Sequence, residues 1–277
     1  MKRALAWCLA VCACTGVHAA TPRAVTRPFL DAGIPLASVA FVVQRADGAA
    51  PLFAWQAQRS MSAASVMKLL TTLASLEILG RDYRWATDAF LRGTLHDGTL
   101  DGDLVLKGHG DPKITLEQWQ SLMTMLRHNG LDDIRGDLVL DRSDFSLPPH
   151  DPAAFDGEPL KPYNVGADAL LVNFKSVRFM FKPNAAGDGV DVAAEPALPG
   201  IALGSTLTLD TLSSCDDWRA DVAAVFVDQH TAAGVRFGGR YPQACGARDW
   251  YVALLDHPHY VQGMFTTYFN AAGGHFA

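Results

Sequence analysis

The stretch 66–79 constrains this chain more than any other part of it. It is long enough for a helix, and Leu69, Leu70, Leu73 and Leu76 leave it apolar on nearly every face. Gly80 is a natural stop and Ser62 stands where an N-cap is expected. A helix with so little polar surface belongs inside a domain, so the fold must supply walls around it. Ahead of it, residues 39–44 and 52–56 are short runs rich in Val, Phe and Trp on either side of Ala46-Asp47-Gly48, which predicts a β-hairpin.

Further along, Gly102-Asp103-Leu104-Val105-Leu106 and Gly136-Asp137-Leu138-Val139-Leu140 flank a helical pattern over 116–127. Thr115 and Gln118 have the spacing of a capping box for that helix, and Gly130 closes it. Two copies do not make a solenoid, so the repeat predicts two strands of one sheet joined through a helix. Gly108-His109-Gly110-Asp111-Pro112 lacks the GK[ST] ending of a phosphate cradle and reads as a turn. Pro148, Pro149, Pro152, Pro159 and Pro162 mark 146–162 as a loop or boundary. Beyond it, residues 170–174, 177–181, 190–193, 206–210 and 223–228 read as the short strands of a β-rich domain. The fold class on these patterns is α/β (α+β).

Lys2 and Arg3, a mostly apolar stretch over 4–16 and Val17-His18-Ala19 have the form of a secretory signal peptide over 1–19, cleaved near Ala19 or Ala20. The run is shorter than the roughly 20 apolar residues of a membrane-spanning helix. A lipidated Cys12 or Cys14 is the alternative, with Val11 standing against it. Export places the mature chain in the periplasm. Removing Cys8, Cys12 and Cys14 leaves one even pair, Cys215 and Cys245, and an oxidising compartment predicts a disulfide between them. With 49% hydrophobic and 19% charged residues the chain is globular rather than disordered. Its 23 Lys+Arg stand against 29 Asp+Glu, a net charge of -6 without a basic patch, which argues against nucleic acid as a partner and against an anionic membrane surface. Peripheral contact with the membrane or cell wall stays open.

Ser65-Val66-Met67-Lys68 carries the chemistry. Residues three apart share a helical face, so the Lys68 amine can reach the Ser65 hydroxyl. The positive end of the helix and burial both favour a neutral lysine, which can take a proton from the serine and make it a nucleophile. The bare SxxK pattern is common; its position behind a hairpin and at the head of an apolar helix is not. Asp256-His257-Pro258-His259 would place His257 and His259 on one face if extended, but no further ligand cluster joins them. Neither a metal nor a cofactor is expected.

The segment 62–72, Ser-Ala-Ala-Ser-Val-Met-Lys-Leu-Leu-Thr-Thr, resembles the nucleophile helix of the D-alanyl-D-alanine carboxypeptidase/endopeptidase family of penicillin-binding protein 4 type, peptidase family S13. The likeness extends through Leu100-Asp101-Gly102-Asp103-Leu104-Val105-Leu106, Gly110-Asp111-Pro112, Ile134-Arg135-Gly136-Asp137 and Asp141-Arg142-Ser143-Asp144-Phe145. It continues through Pro162-Tyr163-Asn164, the block 168–174 and the segments around Cys215 and Cys245, and so covers essentially the mature chain. The resemblance implies a β-lactamase/transpeptidase-like catalytic domain with further domains inserted after the SxxK helix. It implies Ser65 as acylated nucleophile, Lys68 as general base, and the backbone N–H of Ser65 as half of an oxyanion hole. It also implies peptidoglycan stem peptides as substrate and β-lactam antibiotics as acylating inhibitors, with carboxypeptidase and endopeptidase cleavage sharing one acyl-enzyme.

The chain departs from that family in lacking SxN and K[ST]G motifs. Tyr268-Phe269-Asn270 mimics a YxN motif but precedes Gly273-Gly274 in a segment that reads as structural. The expectation is therefore a C-terminally truncated member, inactive or nearly so by itself. Its layout would be a partial catalytic domain over 20–88, an inserted α/β domain over 89–163, a β-rich inserted domain over 164–253 and a return segment over 254–277. A class A β-lactamase would need SDN and KTG motifs of its own, which are absent. The remaining alternative is a non-catalytic periplasmic protein that binds peptidoglycan or a partner.

Overall fold

The computed structural model describes residues 23–48 and 50–276, so the expected signal peptide over 1–19 lies outside the described residues. The chain divides into two compact units, Met1–Asp82 and Tyr83–Ala277.

In the first unit, helix α1 (Arg23–Asp31) precedes the expected hairpin, β1 (Phe41–Val43) against β2 (Phe53–Trp55), with Phe41 opposite Trp55. Phe41 stacks on Phe53 with ring centres 5.0 Å apart. Helix α2 (Met67–Leu79) follows a 3-10 turn (Ala64–Val66) and stops at Gly80, whose φ of +83° is open to glycine without strain. Ser62 is not its N-cap. Val66, the last residue of the 3-10 turn, occupies the cap position with backbone that is already helical, and no side chain caps it.

The expectation of a buried α2 also fails. None of its residues is buried, and Leu69, Leu73 and Leu76 are 73%, 55% and 51% exposed. A two-stranded ribbon offers too little surface to cover a helix that is apolar all round.

The second unit is built differently. Strands β3 (Thr87–His96) and β4 (Thr99–Gly108) form a long antiparallel hairpin that turns at Asp97 and Gly98, both at positive φ. Gly93 and Gly102 face each other across it at φ of +155° and +148°, a conformation that L side chains rarely adopt. Helix α3 (Leu116–His128) opens with the predicted capping box: the Gln118 N–H donates to Thr115 Oγ1 at 3.4 Å, and the Thr115 N–H donates to Gln118 Oε1 at 2.8 Å. It buries Trp119, Met123 and Leu126. Strands β5 (Asp133–Ile134) and β6 (Leu138–Asp141) then pair parallel to β4, with Leu138 beside Leu104. The matched Gly-Asp-Leu-Val-Leu segments are thus neighbours in one sheet.

Two further sheets follow. Strands β7 (Ser176–Pro183), β8 (Val190–Glu195) and β13 (Arg248–Ala253) are antiparallel in the order β13-β7-β8. Around β12 (Ala233–Pro242), β11 (Val222–Asp228) pairs antiparallel, while β9 (Ile201–Ser205) and β10 (Thr208–Asp210) pair parallel. The expected strand over 170–174 is absent. Val172 makes one bridge to Ile114 and the chain then enters a turn, Asn173–Lys175, whose three residues all have left-handed φ.

The stretch 256–259 is not extended. Asp256 caps helix α4 (His257–Ala271), accepting the His259 N–H at 2.9 Å, so the two histidines lie in a helical first turn rather than on one face of a strand. Helix α4 buries Tyr260, Val261, Met264, Phe265 and Phe269 and packs on α3. Among the described residues no helix is long and apolar enough to cross a membrane.

A single apolar core joins β4, α3, β7, β12 and α4, rich in rings such as Phe179, Phe181, Phe237 and Tyr241. A boundary at 88/89 falls within β3, and one at 163/164 within the 3-10 turn Pro162–Asn164. Cys215 and Cys245 are bonded as a disulfide, with Cα atoms 4.9 Å apart.

Candidate active site

Ser65 lies in the 3-10 turn that leads into α2, and Lys68 in the first turn of that helix. The three-residue spacing brings the side chains together: Lys68 Nζ donates to Ser65 Oγ at 3.0 Å. The residue before the serine, Ala64, has φ of +42°, a left-handed conformation worth of order 1 to 3 kcal/mol of strain for a side chain of this kind. Such strain collects at nucleophile turns, because presenting a hydroxyl at the tip of a helix requires a sharp change of chain direction. Both side chains are exposed. Among the described residues, none encloses the amine so as to desolvate it.

The other sequence candidates are dispersed. Cys215 and Cys245 staple the β-rich part of the second unit. Asn270 is occupied structurally: its amide bonds both the N–H and the C=O of Phe276, at 3.0 and 3.2 Å.

Sequence reasoning missed a charged cluster at the end of β4. The ring of His109 lies between two carboxylates, with Nε2 2.9 Å from Asp88 Oδ2 and Nδ1 against Asp144 Oδ2. The hydrogen bonds to Asp88 and then Asp144 raise its pKa above the usual 6.5, whereas those from Lys107 and then His109 hold the Asp144 carboxyl below the usual range. Lys107 Nζ reaches Asp144 Oδ1 at 2.9 Å. His109 sits in the segment read as a plain turn, and two registers bring its partners together: β3–β4, with Asp88 opposite Lys107, and β4–β6, with Asp141 beside Lys107 and Asp144 just beyond.

The model of the D-Ala-D-Ala carboxypeptidase 3 (S13) family matches residues 23–277. The chain belongs to that family. Among S13 relatives, it is 38% identical over 86 residues to the D-alanyl-D-alanine carboxypeptidase DacB of Haemophilus influenzae, a stretch that covers 31% of this chain and 18% of the relative. It is 35% identical over 78 residues to a D-alanyl-D-alanine carboxypeptidase of an Actinomadura species, covering 28% of this chain and 14% of that one. The crystal structure of penicillin binding protein 4 (dacB) from Haemophilus influenzae superposes with a TM-score of 0.66 at 20% identity, covering 90% of this chain and 54% of that one. The same protein complexed with a β-lactam gives a TM-score of 0.51 at 19% identity, covering 78% of this chain and 45% of that one. At such identity the likeness shows the fold, which is transpeptidase-like, α/β (α+β) in class. The chain spans about half the length of that solved S13 relative.

Proposed function

We propose that this chain supplies the nucleophile segment of a serine-type D-Ala-D-Ala carboxypeptidase/endopeptidase acting on peptidoglycan stem peptides in the periplasm. The observation that carries the reading is the Lys68–Ser65 hydrogen bond at the head of α2, in a chain of the S13 family. In this reading a neutral Lys68 amine takes the proton of Ser65 Oγ as that oxygen attacks the carbonyl carbon of the penultimate D-Ala. The amide C–N bond breaks, the departing amine leaves with a proton, and water then hydrolyses the ester on Ser65. A β-lactam ring would open at the same oxygen and leave a longer-lived ester.

The Ser65 N–H is one oxyanion donor. The second donor and the clamp for the substrate carboxylate fall to SxN and K[ST]G motifs, which these 277 residues do not contain. Removing a single oxyanion donor slows an enzyme by roughly 10² to 10³. This polypeptide alone should therefore acylate very slowly or not at all.

Long incubation of the purified chain with a fluorescent penicillin, with the label located by mass spectrometry, tests both parts. Any label should sit on Ser65 and disappear in Ser65→Ala. Label on another residue would overturn the nucleophile assignment, and rapid stoichiometric labelling would overturn the need for the two further motifs.

A second reading is a non-catalytic periplasmic peptidoglycan- or partner-binding protein. It is favoured by the contrast between the continuous core of the second unit and the absence of any buried residue in α2. Its signature is binding to isolated cell walls that Ser65→Ala leaves unchanged.

A further inference from the structure

A cavity of about 540 Å³ opens in the second unit among the proline-rich loop, the turn Asn173–Lys175 and the first turn of α4. Its apolar lining includes Leu147, Pro148, Pro159, Leu160 and Val165, and its polar lining includes Arg142, Asp168, Lys175, Asp228, Asp256 and His257. A mostly apolar lining with a few polar groups is the usual make-up of a small-molecule site.

The three carboxylates are held by their own neighbours. Asp168, whose side chain is 2% exposed, takes both contacts of the Arg142 guanidinium and the Leu170 N–H. Asp228 accepts the backbone N–H groups of His230 and Leu255 at 2.9 and 3.3 Å. Asp256 caps α4 and pairs with His259.

The cation-forming groups are less well served. Lys175 Nζ uses one of its three N–H groups on the Leu255 carbonyl. Among the described residues the His257 ring finds no hydrogen-bond partner; Asp168 Oδ2 lies 4.0 Å from its Nδ1. Burial pushes the Lys175 amine down, against the pull of Asp228 and Asp256. Burial also pushes the His257 imidazole down, with Lys175 and Arg142 adding to it and Asp168 opposing. Two half-buried donors thus lie in each other's field, and among the described residues neither is hydrogen-bonded to a carboxylate: Asp228 and Asp256 act on Lys175 only through space and Asp168 stays 4.0 Å from His257.

The backbone supports the same reading. Asn173, Phe174 and Lys175 have φ of +46°, +52° and +49°, three consecutive non-glycine residues in the left-handed region. The Asn173 amide holds this turn by donating to Ser176 O and to the buried Tyr260 hydroxyl, each at 3.0 Å. Strain of this kind persists where the surroundings enforce it and gathers at ligand sites, and here it sets Lys175 on the cavity wall.

We propose that this cavity binds a small organic carboxylate with an apolar body, the C-terminal end of a short peptide, with Lys175 and His257 holding the carboxylate and the Leu and Pro lining covering the rest. The site is separate from acylation at Ser65 and does not depend on it.

The test uses the full chain carrying Ser65→Ala, so that no acyl-enzyme forms, titrated calorimetrically with N-acetyl-D-alanyl-D-alanine and with its C-terminal amide. Saturable binding of the acid is expected at millimolar concentration, and the amide should bind at least about tenfold more weakly, the scale of one charge-assisted hydrogen bond. Lys175→Gln and His257→Gln should each weaken the acid about tenfold on the same ground, and Val165→Phe, which fills the cavity, should abolish binding. If Lys175→Gln unfolds because the Leu255 carbonyl loses its donor, the His257 and Val165 variants decide, provided their thermal unfolding matches that of the parent. Equal binding of acid and amide, binding that survives Val165→Phe, or no saturable binding would each overturn the proposal. Binding here without penicillin labelling of the wild-type Ser65 would count against the acylation reading alone, and labelling without binding would count against the cavity alone.

Discussion

Lys68 Nζ donates to Ser65 Oγ at 3.0 Å, at the head of a helix none of whose residues is buried. The contact follows from spacing alone, because residues three apart on a helix share a face. Nucleophilic activation requires more than that contact. The amine must be neutral when the proton moves, and desolvation by surrounding walls is what favours the neutral form. In the acylation reading proposed above, the spacing of the two residues would assemble the pair and an enclosure around it would make it reactive.

Wherever Ser65 is acylated, Lys68→Ala should slow the reaction by roughly 10² to 10⁴, the usual contribution of a positioned general base. Lys68→Arg should not restore it, because a guanidinium stays protonated at any working pH. The rate of labelling by a fluorescent penicillin measures both. A wild-type rate in the arginine variant would remove Lys68 from the role of base.

The His109 ring is clasped by Asp88 and Asp144, and its pKa is raised above 6.5. A raised pKa in the folded state means that the charged form stabilises folding. The contribution is complete below 6.5, the unfolded value, and is lost as pH climbs through the higher folded value. The thermal midpoint of the second unit should fall as pH rises through that window, and His109→Gln should flatten the fall. An identical pH profile in the variant would show that the clasp contributes nothing.

Reducing the disulfide between Cys215 and Cys245, which are 30 residues apart, should lower stability. A loop of that length gives about 3 to 4 kcal/mol on the chain-entropy account. Urea unfolding with and without reductant reads the difference directly. A loss below about 1 kcal/mol would mean that the reduced chain keeps the loop closed by other contacts.

Gly102→Ala should destabilise the β3–β4 hairpin. Its Cβ would lie 2.2 Å from the Arg92 carbonyl oxygen, at a φ of +148°, so the strands would have to part. A loss above about 2 kcal/mol is expected, the range of backbone clashes without room to relax. Gly234→Ala in β12 is the control, since an added Cβ there meets nothing within 4 Å. If both substitutions unfold at the same denaturant concentration, the close approach of β3 and β4 is not restrictive.

Signals that span a few residues are legible in the amino-acid sequence. The SxxK contact, the Thr115/Gln118 capping box, the stop at Gly80 and the β1–β2 hairpin each depend on atoms within one turn or one ribbon. The repeated Gly-Asp-Leu-Val-Leu segments pair because both are apolar strands separated by one crossover helix. Strand β3 had a readable sign in the Asp97-Gly98 turn, and α4 had one in Asp256 followed by Pro258, the usual opening of a helix.

Other features could not be read in this way. The apolar run 170–174 looks like a strand, yet the Asn173 amide is claimed by Ser176 O and by the Tyr260 hydroxyl, 87 residues away, and the backbone turns left-handed instead. His109 reads as a turn residue until Asp88 and Asp144 reach it from other segments. The hydrophobicity of α2 states that it must be covered but does not name the cover. Periodicity reports which face of an element is apolar, and capping residues report where it ends, because both rest on neighbours in sequence. Which face meets which, and which charges converge on Lys175 and His257, depends on contacts between distant segments, and packing alone selects those.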